Sequence, residues 1–419
     1  MNKPQLKRIL HIPRRFSQDE WGGTEAVISN ICQIQAQQGL QPEIHTSLAL
    51  SKNRSDNLHG IPIHRYSYCY PFFGLSKEDK IQLDKKGGNL LSWSLYRALR
   101  KAKGVRIYHA HVTKRTGASV LKAAQLAHRP CIVTLHGNMF DVPKMEATNV
   151  VAPQEGKFEW GRAFGAYFGS RSMLQNVDAI LCVGYSEYEK ASVALGAERV
   201  HFLPNGVFPE RFKSTPEERM FTREKLGTQK DEFLFGCISR IDPQKNQQLL
   251  IQSFSRLAAS NPKVKLLLCG PITNQSYFNE LVETKNSSGF GDRILILPPV
   301  EPDSKEHRGL FAALDAFVLP SRHEPFGIVI LEAWSAGKPV IAANIGGLSR
   351  LVNDGTTGIQ FNCDDGESLL NAMQKLLEEK DFQQTSVKNA QKQIEQCYTW
   401  PQIAQQLENI YQQVEQKYD

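Results

Sequence analysis

The stretch "HEPFGIVILEAWSAGKPVIA", residues 323–342, places two glutamates around an otherwise apolar run. Glu324 and Glu332 are eight residues apart, which on one helix would put them on the same face, about 12 Å apart. A turn of small residues at 336–339 closes the segment. The stretch therefore predicts a strand, a loop, a buried helix and a second strand, with a carboxylate at each end of a site.

Length and composition indicate a soluble protein of two domains. The chain has 419 residues, 41% of them apolar and 22% charged, which is typical of globular proteins too long for one core. No apolar run approaches the roughly 18 residues that cross a bilayer, and "ILHI" is too short for a signal peptide. None of the eight cysteines forms a C-x-x-C pair. We expect buried free thiols in a reducing cytoplasm at Cys131, Cys182, Cys237 and Cys269.

Charge is divided unevenly along the chain. The first 200 residues carry 27 Lys and Arg against 16 Asp and Glu, whereas the remainder carry 23 against 27. A basic first half indicates an anionic partner such as phosphates, a membrane surface or nucleic acid. An uneven but purely solvated surface is the alternative.

Short apolar strands alternate with longer helical patterns almost throughout the chain. Strands joined by helices are typical of parallel sheets covered on both faces, and two such series predict two doubly wound α/β domains. The first series comprises "RILHI", "PEIHTSL", "RIYHAHV", "CIVTLHG", "AILCVG" and "VHFLPNG". The second comprises "FLFGCIS", "VKLLLCG", "RILILPP", "AFVLPS", "PVIAA" and "GIQF".

Proline and glycine in "LPNGVFPERF" break regular structure between the two series. We therefore expect an N-terminal domain over residues 1–206 and a C-terminal domain over residues 207–395. The tail, residues 396–419, has an amphipathic pattern opened by Trp400-Pro401. It predicts a final helix that crosses back to the first domain.

Residues 139–172 are too long for an ordinary connection between a strand and a helix. They contain Gly161, Gly165 and Gly169 at a spacing of four, with aromatic residues beside them. On one helix these glycines would form a groove that another backbone can approach. We expect close packing inside the domain, with an acceptor-binding element as the alternative.

Ligands of open α/β sheets bind outside the carboxyl ends of the strands, so the residues that follow each strand are candidates for chemistry. After the first strand, Gly22-Gly23 precede a helix whose free N–H groups would suit an anion. After "FLFGCIS", Arg240 and Lys245 flank a proline turn and would grip a diphosphate, the arginine as a fork and the lysine as a point charge. Taken singly, a plain turn and a solvated loop are the alternatives.

The amides of Phe326, Gly327 and Ile328 would begin the helix of the opening stretch and favour an anionic ligand. Glu324 precedes this helix, and Glu332 lies two turns into it without an obvious cation nearby in sequence. Ligand hydroxyl groups would satisfy both carboxylates, those of a sugar ring for one and those of a ribose for the other.

Together these motifs resemble the retaining glycosyltransferases of family 4, which have the GT-B fold of two Rossmann-like domains facing a central cleft. The resemblance is carried by Gly22-Gly23, "SRIDPQKN", "HEPFGIVILE" with its E-x7-E spacing, and "GKPVIAANIGGLSRLVNDGTTGIQF". It is strongest over residues 233–362, whereas the N-terminal half matches through "HAH", "TLHG" and "LPNGV". The stretch "CGPITN" departs from the commonest pattern because no second glycine follows Gly270.

The resemblance implies a role for each matched position of the C-terminal half. Arg240 and Lys245 would hold the donor diphosphate and stabilise the leaving charge. Glu332 would bind the ribose hydroxyls. Glu324, together with the amides of residues 326–328, would hold the transferred sugar.

The N-terminal half supplies further implied positions. Gly22 and Gly23 would lie against the phosphates, and His136 would act near the sugar and the acceptor. His109, His111 and Asn205 are additional candidates for the acceptor side or the cleft.

The sequence has no D-x-D motif for a metal-bound nucleotide, and Asp364-Asp365 is typical of a helix cap. The His109-Ala-His111 pair would suit a metal on a strand, but no carboxylate or cysteine accompanies it. We therefore expect neither a metal nor another cofactor. Arg240, Lys245 and helix dipoles would stabilise the departing diphosphate.

The expected function is transfer of a hexose-type sugar, with retention, from a nucleoside diphosphate to a glycan, lipid-linked or small-molecule acceptor. The expected partners are this donor and acceptor, without nucleic acid. "NLLSWSLYRALRKAKG" predicts peripheral contact of a cytoplasmic protein with an anionic membrane, an ordinary surface helix being the alternative. The rival functions are another GT-B enzyme, such as an epimerase or a glucan synthase, and a noncatalytic sugar-nucleotide-binding protein.

Overall fold

A computed structural model of the protein describes residues 7–18, 21–137, 139–140 and 152–418. The chain divides into two compact units. Unit 1 comprises Met1–Pro204 and Trp400–Asp419, and unit 2 comprises Asn205–Thr399. Each unit contains one sheet of mainly parallel strands, which confirms the α/β class with two Rossmann-like domains. The last helix belongs to unit 1, as expected of a helix that returns to the first domain.

The sheet of unit 1 contains eight strands. They are β1 Arg8–Ile12, β2 Gln41–Ser47, β3 Ser55–Leu58, β4 Ile61–Tyr66, β5 Val105–Ala110, β6 Cys131–Leu135, β7 Ala179–Cys182 and β8 Val200–Phe202. Their order across the sheet is β3-β4-β2-β1-β5-β6-β7-β8. All neighbours pair in parallel except β3 and β4.

Seven α-helices of unit 1 precede residue 205 in the described part of the chain. They are α1 Gly23–Gln37, α2 Lys77–Lys86, α3 Trp93–Lys101, α4 Lys114–Leu126, α5 Arg162–Phe168, α6 Met173–Asn176 and α7 Tyr185–Leu195. Helices α1, α4 and α7 each follow a strand of the parallel sheet, so their N-termini lie at the carboxyl ends of strands.

The sheet of unit 2 contains six strands, all parallel to their neighbours. They are β9 Phe233–Ile238, β10 Val264–Cys269, β11 Ile294–Leu297, β12 Ala316–Leu319, β13 Val340–Ala343 and β14 Ile359–Phe361. Their order is β11-β10-β9-β12-β13-β14.

The helices of unit 2 follow the same alternation. They are α8 Pro216–Lys225, α9 Gln247–Ser260, α10 Gln275–Ser287, α11 Lys305–Ala313, α12 Ile328–Ser335, α13 Leu348–Leu351, α14 Gly366–Glu378 and α15 Lys380–Cys397. Helix α16, Trp400–Glu415, is the last helix and part of unit 1. None of the helices in the described ranges combines the length and apolar character that a bilayer span requires.

Successive residues of a central strand in unit 2 pack into different hydrophobic clusters. Leu266 and Leu268 of β10 belong to one cluster, whereas Leu267 and Cys269 belong to another. Because side chains alternate between the faces of a sheet, both faces are covered. The loops after the carboxyl ends of the strands are therefore left to form a ligand site.

Strands β3 and β4 are the part of the fold that periodicity does not predict. They form an antiparallel pair joined by His59 and Gly60, whose φ angles are 52° and 85°. Two left-handed residues are typical of a tight hairpin turn. Strand β3 cannot be recognised from its polar sequence "SDNL", because β-branched and aromatic residues, which favour strands, are absent from it.

The long connection before α5 differs from the expected single helix. Helix α5 contains Gly165, whereas Gly161 precedes it and Gly169 ends it with a φ of 71°. Close packing occurs at Gly161, where an added Cβ would lie 2.4 Å from Pro71. Residues 141–151 of this connection lie outside the described residues.

The cysteines agree with the expected free thiols. All eight are unpaired, and the four predicted in strands, Cys131, Cys182, Cys237 and Cys269, are buried. Burial raises the pKa of each of these thiols, so they are poor nucleophiles and pack as small apolar residues.

Candidate active site

The loop after β9 is fixed by its own side chains. The carboxylate of Asp242 accepts hydrogen bonds from the amide of Gln244 at 3.1 Å and from Thr273 Oγ1 at 2.8 Å. Asn246 is buried, has a left-handed φ of 53°, and donates from Nδ2 to Asp364 Oδ1 at 2.9 Å. These contacts hold the turn that carries both predicted cations.

Arg240 and Lys245 differ in their surroundings. Arg240 is exposed, and within the described residues its guanidinium donates one hydrogen bond, from Nη2 to Gln244 Oε1 at 3.2 Å. The side chain of Lys245 is only 11% exposed, and its Nζ forms an ion pair with Glu324. The guanidinium is therefore available to an incoming anion, whereas the ammonium is already oriented by a carboxylate.

Glu324 lies in the loop between β12 and α12 rather than on the helix. A helical face shared with Glu332 is therefore not formed. The carbonyl of Glu324 accepts a hydrogen bond from the amide of Gly347 at 3.0 Å. A Cβ at Gly347 would lie 2.0 Å from the carbonyl oxygen of Pro325, so only glycine permits this approach.

The N-terminus of α12 has unused donors. The helix begins at Ile328, with Gly327 as its N-cap residue at a φ of 97° and without a side-chain cap. Phe326 and Gly327 thus precede the helix, which begins two residues later than predicted. Within the described chain, none of the amides of Phe326, Gly327 and Ile328 donates a hydrogen bond. Free amides at a helix N-terminus form a site for an anion.

Glu332 is a carboxyl group without a counter-charge. Its burial and the neighbouring Asp303 raise its pKa to about 8. No cation in the described part of the chain forms an ion pair with it. The side chain is half-buried, and hydroxyl donors of a ligand would suit a carboxyl group in this state.

Gly23 begins α1, and Gly22 is its N-cap residue. An added Cβ at Gly23 would meet no atom within 4 Å, so the space beside it is open. The buried carboxylate of Glu25 lies 3.7 Å from Nε of Arg15, and burial raises its pKa. A phosphate at this helix end would therefore compete with the side chain of Glu25.

His136 follows β6, and its ring is contacted by a second histidine. Its Nε2 lies 3.2 Å from Nδ1 of His111, and Nε2 of His111 lies 3.0 Å from Nδ1 of His11. Nε2 of His11 lies 2.8 Å from Oε1 of Gln35 on α1. Burial lowers the pKa of His11 and of His136 to about 4, so these rings are neutral at pH 7.

The backbone after His136 is anchored by Glu187 from the first turn of α7. One carboxylate oxygen accepts from the amide of Gly137 at 2.8 Å. The other accepts from Met139 at 3.0 Å and from Phe140 at 3.3 Å. This loop is consequently held by a buried charge that the sequence motif "TLHG" does not contain.

His109 is enclosed by the protein. It is fully buried, with Nδ1 at 2.7 Å from Tyr411 Oη and Nε2 at 2.7 Å from Thr134 Oγ1. Its place on the acceptor side stays a prediction. Asn205, the first residue of unit 2, is also buried.

Nitrogen atoms of His11, His109 and His111 lie within 4.8 Å of one another, as metal ligands do. Hydrogen bonds account for the cluster, because both nitrogens of His109 face hydroxyl groups. The rings of His109 and His111 stack at 4.2 Å instead of pointing their edges at one centre. A second cluster contains Glu43, whose carboxylate is engaged by Arg8 at 2.6 and 2.8 Å.

Sequence reasoning missed four residues around these sites: His11, Gln35, Glu25 and Glu187. His11, Glu25 and Glu187 share one signal, a polar residue at a strand end or in the first turn of the helix that follows, whereas Gln35 lies near the end of α1. His11 interrupts the apolar strand "RILHI", and Glu187 follows Gly184 by three residues, close to the pattern of a helix start. Partners more than 20 residues away, however, cannot be identified from such signals.

Two families match consecutive parts of the chain. The family described as Glycosyltransferase Family 4 matches residues 21–211. The family described as Glycosyl transferases group 1 matches residues 218–393. The first range lies mostly in unit 1 and the second lies in unit 2.

Relatives of known name are similar over part of their length. An uncharacterized glycosyltransferase of Methanocaldococcus jannaschii is 29% identical over 51% of this chain and 54% of its own, so the chain spans about half of that relative. The UDP-Gal:alpha-D-GlcNAc-diphosphoundecaprenol alpha-1,3-galactosyltransferase of Escherichia coli is 28% identical over 68% of this chain and 70% of its own. The crystal structure of Anabaena HepE with UDP and glucose covers 97% of this chain and 100% of its own at 21% identity, with a TM-score of 0.73. This likeness establishes the GT-B fold.

Proposed function

The chain belongs to the glycosyltransferases of the family 4 type, and we propose that it moves a hexose-type sugar from a nucleoside diphosphate with retention of configuration. The acceptor is a lipid-linked or other glycan, and the product is a surface polysaccharide or a related glycoconjugate. The donor is a substrate, and no other cofactor takes part.

The observation that carries the proposal is the set of charge-stabilising groups in unit 2. Cleavage of the bond from sugar to phosphate places growing negative charge on the diphosphate, and fixed donors stabilise that charge. Arg240 has an available guanidinium, Lys245 is oriented by Glu324, and the amides before α12 are free. A protein that only bound sugar nucleotides would gain little from a lysine that a carboxylate orients toward the same site.

The carboxyl groups of the site suit hydroxyl-rich parts of the donor. Glu332 has no cation partner in the described chain, so ribose hydroxyls would supply the donors that it lacks. Glu324 would accept hydrogen bonds from the transferred sugar while it keeps Lys245 in place. Carboxylates that met phosphates directly would instead be repelled.

We infer that the reaction does not need a metal ion. The two clusters of potential metal ligands in the described residues both lie in unit 1. In unit 2, Asp364 is engaged by Arg322 and Asn246, and Asp365 caps α14. Activity should therefore survive a chelator. Loss of transfer with EDTA and its return with Mg²⁺ or Mn²⁺ would overturn this part of the proposal.

The donor is tested by thermal shift with UDP-, GDP- and ADP-sugars. UDP-sugars come first, because the E. coli relative is named for UDP-Gal and HepE was solved with UDP. A true donor at 100 times its dissociation constant should stabilise the protein by roughly 2.7 kcal/mol. NMR of the anomeric proton then distinguishes retention from inversion. A bound sugar nucleotide that is neither hydrolysed nor transferred would identify a noncatalytic binder.

We also propose contact with a membrane, but through a different surface from the one that the sequence predicts. The leucines of the predicted basic helix, including Leu95 and Leu99, are buried in the protein together with Tyr96 and cannot rest on lipid. Exposed rings form an aromatic patch instead: Phe73, Trp93, Phe158, Trp160 and Tyr167, between 36% and 70% exposed. Neighbouring rings of the patch lie about 6 Å apart, and the ring of Phe164 connects Trp93 to Trp160.

Cations surround this aromatic patch. Arg97, Arg100 and Lys101 are exposed on α3, and Arg162 at the start of α5 has a side chain that is 85% exposed. Aromatic rings prefer the headgroup region of a bilayer, and cations bind anionic lipid. We therefore place the lipid-linked acceptor next to the aromatic patch.

Vesicle flotation tests this contact at low salt. Reversing the charge of Arg97, Arg100 and Lys101 together should weaken binding to anionic vesicles by more than about 100-fold, because each lost cation costs about 1 kcal/mol and each new negative charge adds repulsion. The control reverses Lys285, Lys388 and Lys392 in unit 2. Equal binding of wild type to neutral and anionic vesicles, or no binding at all, would count against the contact.

A further inference from the structure

Four side chains of unit 1 form one continuous row of hydrogen bonds. Gln35 of α1 contacts His11 at 2.8 Å, His11 contacts His111 at 3.0 Å, and His111 contacts His136 at 3.2 Å. Gln35, His11 and His111 are buried, whereas His136 is partly exposed. The row thus leads from the interior of the unit to the residue that follows β6.

The fold brings this row together through strand register. His11 pairs with His109 across β1 and β5, and His111 follows the end of β5 with its amide donating to Ile12 at 2.9 Å. His136 follows the next strand, β6. Three adjacent strand ends therefore each contribute one ring to the row.

The partners decide which ring nitrogens carry protons. Oε1 of Gln35 can only accept, so Nε2 of His11 must donate. In a neutral ring the other nitrogen then accepts, so His11 Nδ1 accepts from His111 Nε2. By the same rule, Nδ1 of His111 accepts from Nε2 of His136. Nδ1 of His136 is left with a lone pair.

The Gln35 amide also contacts Tyr411. Its Nε2 faces Tyr411 Oη at 3.4 Å, where a lone pair of the phenol is available. Tyr411 and Thr134 also satisfy both nitrogens of His109, which therefore does not interrupt the row. A reversed row would require the amide to turn over.

We propose that Gln35, His11 and His111 are positioning residues that hold His136 with Nε2 protonated and Nδ1 as an acceptor for a ligand hydroxyl. The identity of that ligand as a sugar rests on the proposed function, but the proton order does not. No other described residue contacts Nδ1 of His136 by a hydrogen bond. His136 would thus recognise a hydroxyl and contribute no charge to a phosphate.

Two further features favour a fixed and neutral ring. Burial lowers the pKa of His111 well below its usual range, and the neighbouring histidines lower it further. The backbone next to the ring is anchored independently, because Glu187 accepts from the amide of Gly137. Side chain and backbone of His136 are therefore held by different contacts.

The test is ring-nitrogen NMR of protein labelled with [15N]histidine, at pH 7 and without substrate. Signals of His136 are assigned by their loss in His136→Gln. We expect one neutral form with Nε2 protonated and Nδ1 unprotonated. Protonation of His136 at Nδ1 in the wild type would overturn the proposal. This readout is independent of transferase activity, so the proposal and the proposed function can fail separately.

Gln35→Met removes the acceptor at the end of the row while keeping the size of the side chain. The signals of His11, His111 and His136 should then become those of mixed tautomers, whereas the control Gln33→Met on the same helix should leave them unchanged. Once a donor is known, Gln35→Met should lower kcat/KM about fivefold, the scale of one hydrogen bond. Unchanged tautomers in Gln35→Met would show that Gln35 does not order the row.

Discussion

The side chains at the strand ends of unit 2 are charged, whereas those at the strand ends of unit 1 are neutral. Unit 2 presents charges after β9 and β12: an exposed guanidinium at Arg240, the ion pair of Lys245 and Glu324, and free amides before α12. Unit 1 presents a row of neutral rings at the carboxyl ends of β1, β5 and β6. We propose that the first arrangement stabilises charge and that the second selects hydrogen-bond polarity without charge. One sheet type therefore supports two kinds of recognition, because the residues after the strands differ.

The difference also concerns how the groups are held. In unit 2 the polar contacts are turns, caps and the ion pair of Lys245 with Glu324. In unit 1 they are hydrogen bonds between neutral rings, such as that of His11 with His111. We expect charge loss to dominate the effect of substitutions in unit 2, and loss of orientation or stability to dominate in unit 1.

The largest effect is expected from Lys245→Ala or Arg240→Ala. Each removes a cation that we propose stabilises the departing diphosphate, so turnover should fall by about 100-fold or more. Steady-state kinetics with saturating donor measures the effect. The matched control Arg256→Ala removes an exposed cation that pairs with Glu367 elsewhere in unit 2. Near-normal turnover of Lys245→Ala would contradict the proposal that unit 2 acts through charge.

Glu187→Ala should affect unit 1 mainly through stability. Three backbone amides lose their charged acceptor, and the free energy of unfolding should fall by about 2 kcal/mol. Urea titration measures this change. Glu189→Ala, two residues along the same helix, is the control. A stable Glu187→Ala protein with unchanged kinetics would mean that the loop after His136 does not need this anchor.

Donor binding in unit 2 should depend on pH through Glu332. Its pKa of about 8 in the free protein means that it is mostly protonated at pH 7. If bound hydroxyls favour the carboxylate, donor binding releases a proton and tightens as pH rises toward 8, by about fivefold from pH 7 to 8. Calorimetry in buffers of different ionisation enthalpy detects the proton. Glu332→Gln should bind donor about tenfold more weakly and release no proton; proton release by this variant would exclude Glu332 as its source.

The smallest effect concerns Lys338, a buried cation of unit 2 outside the site. Its Nζ donates to the carbonyls of Ala312 and Leu314 at 2.8 Å, and burial lowers its pKa to about 7. The unfolded state keeps the proton up to a pKa of about 10.4, so stability rises with pH above 7. The gain from pH 7 to 8 should be about 1 kcal/mol relative to Lys338→Met, measured by urea titration. If the stability of Lys338→Met depended on pH in the same way as that of the wild type, Lys338 would not be the group with the lowered pKa.

Much of the fold follows from hydrophobic periodicity. The predicted strand "RILHI" coincides with β1, and "FLFGCIS" contains β9. Period and composition suffice there because both faces of these strands are buried. The hairpin of β3 and β4 is missed because polar residues dominate β3 and its turn is His59-Gly60 instead of a familiar Asn-Gly pair.

The sequence predicts which residues belong to the candidate sites, but not which residues they contact. The motif around Arg240 and Lys245 is local and can be identified from the sequence. The ion pair of Lys245 with Glu324 joins residues 79 positions apart, and only the pairing of β9 with β12 brings them together. The sequence does not distinguish His109 from His111, because both belong to "HAH". Only the fold shows that His111 contacts His136.

The outermost strands of both sheets are short, and this has a consequence for the behaviour of the protein in concentrated solution. In unit 1 the outer strands β3 and β8 have four and three residues, and β3 is polar. In unit 2 the outer strands β11 and β14 have four and three residues. Unpaired backbone groups at a sheet edge recruit strands from other molecules, and short or polar edges limit this. The native protein is thereby protected from edge-to-edge aggregation, so its aggregation should depend on prior unfolding.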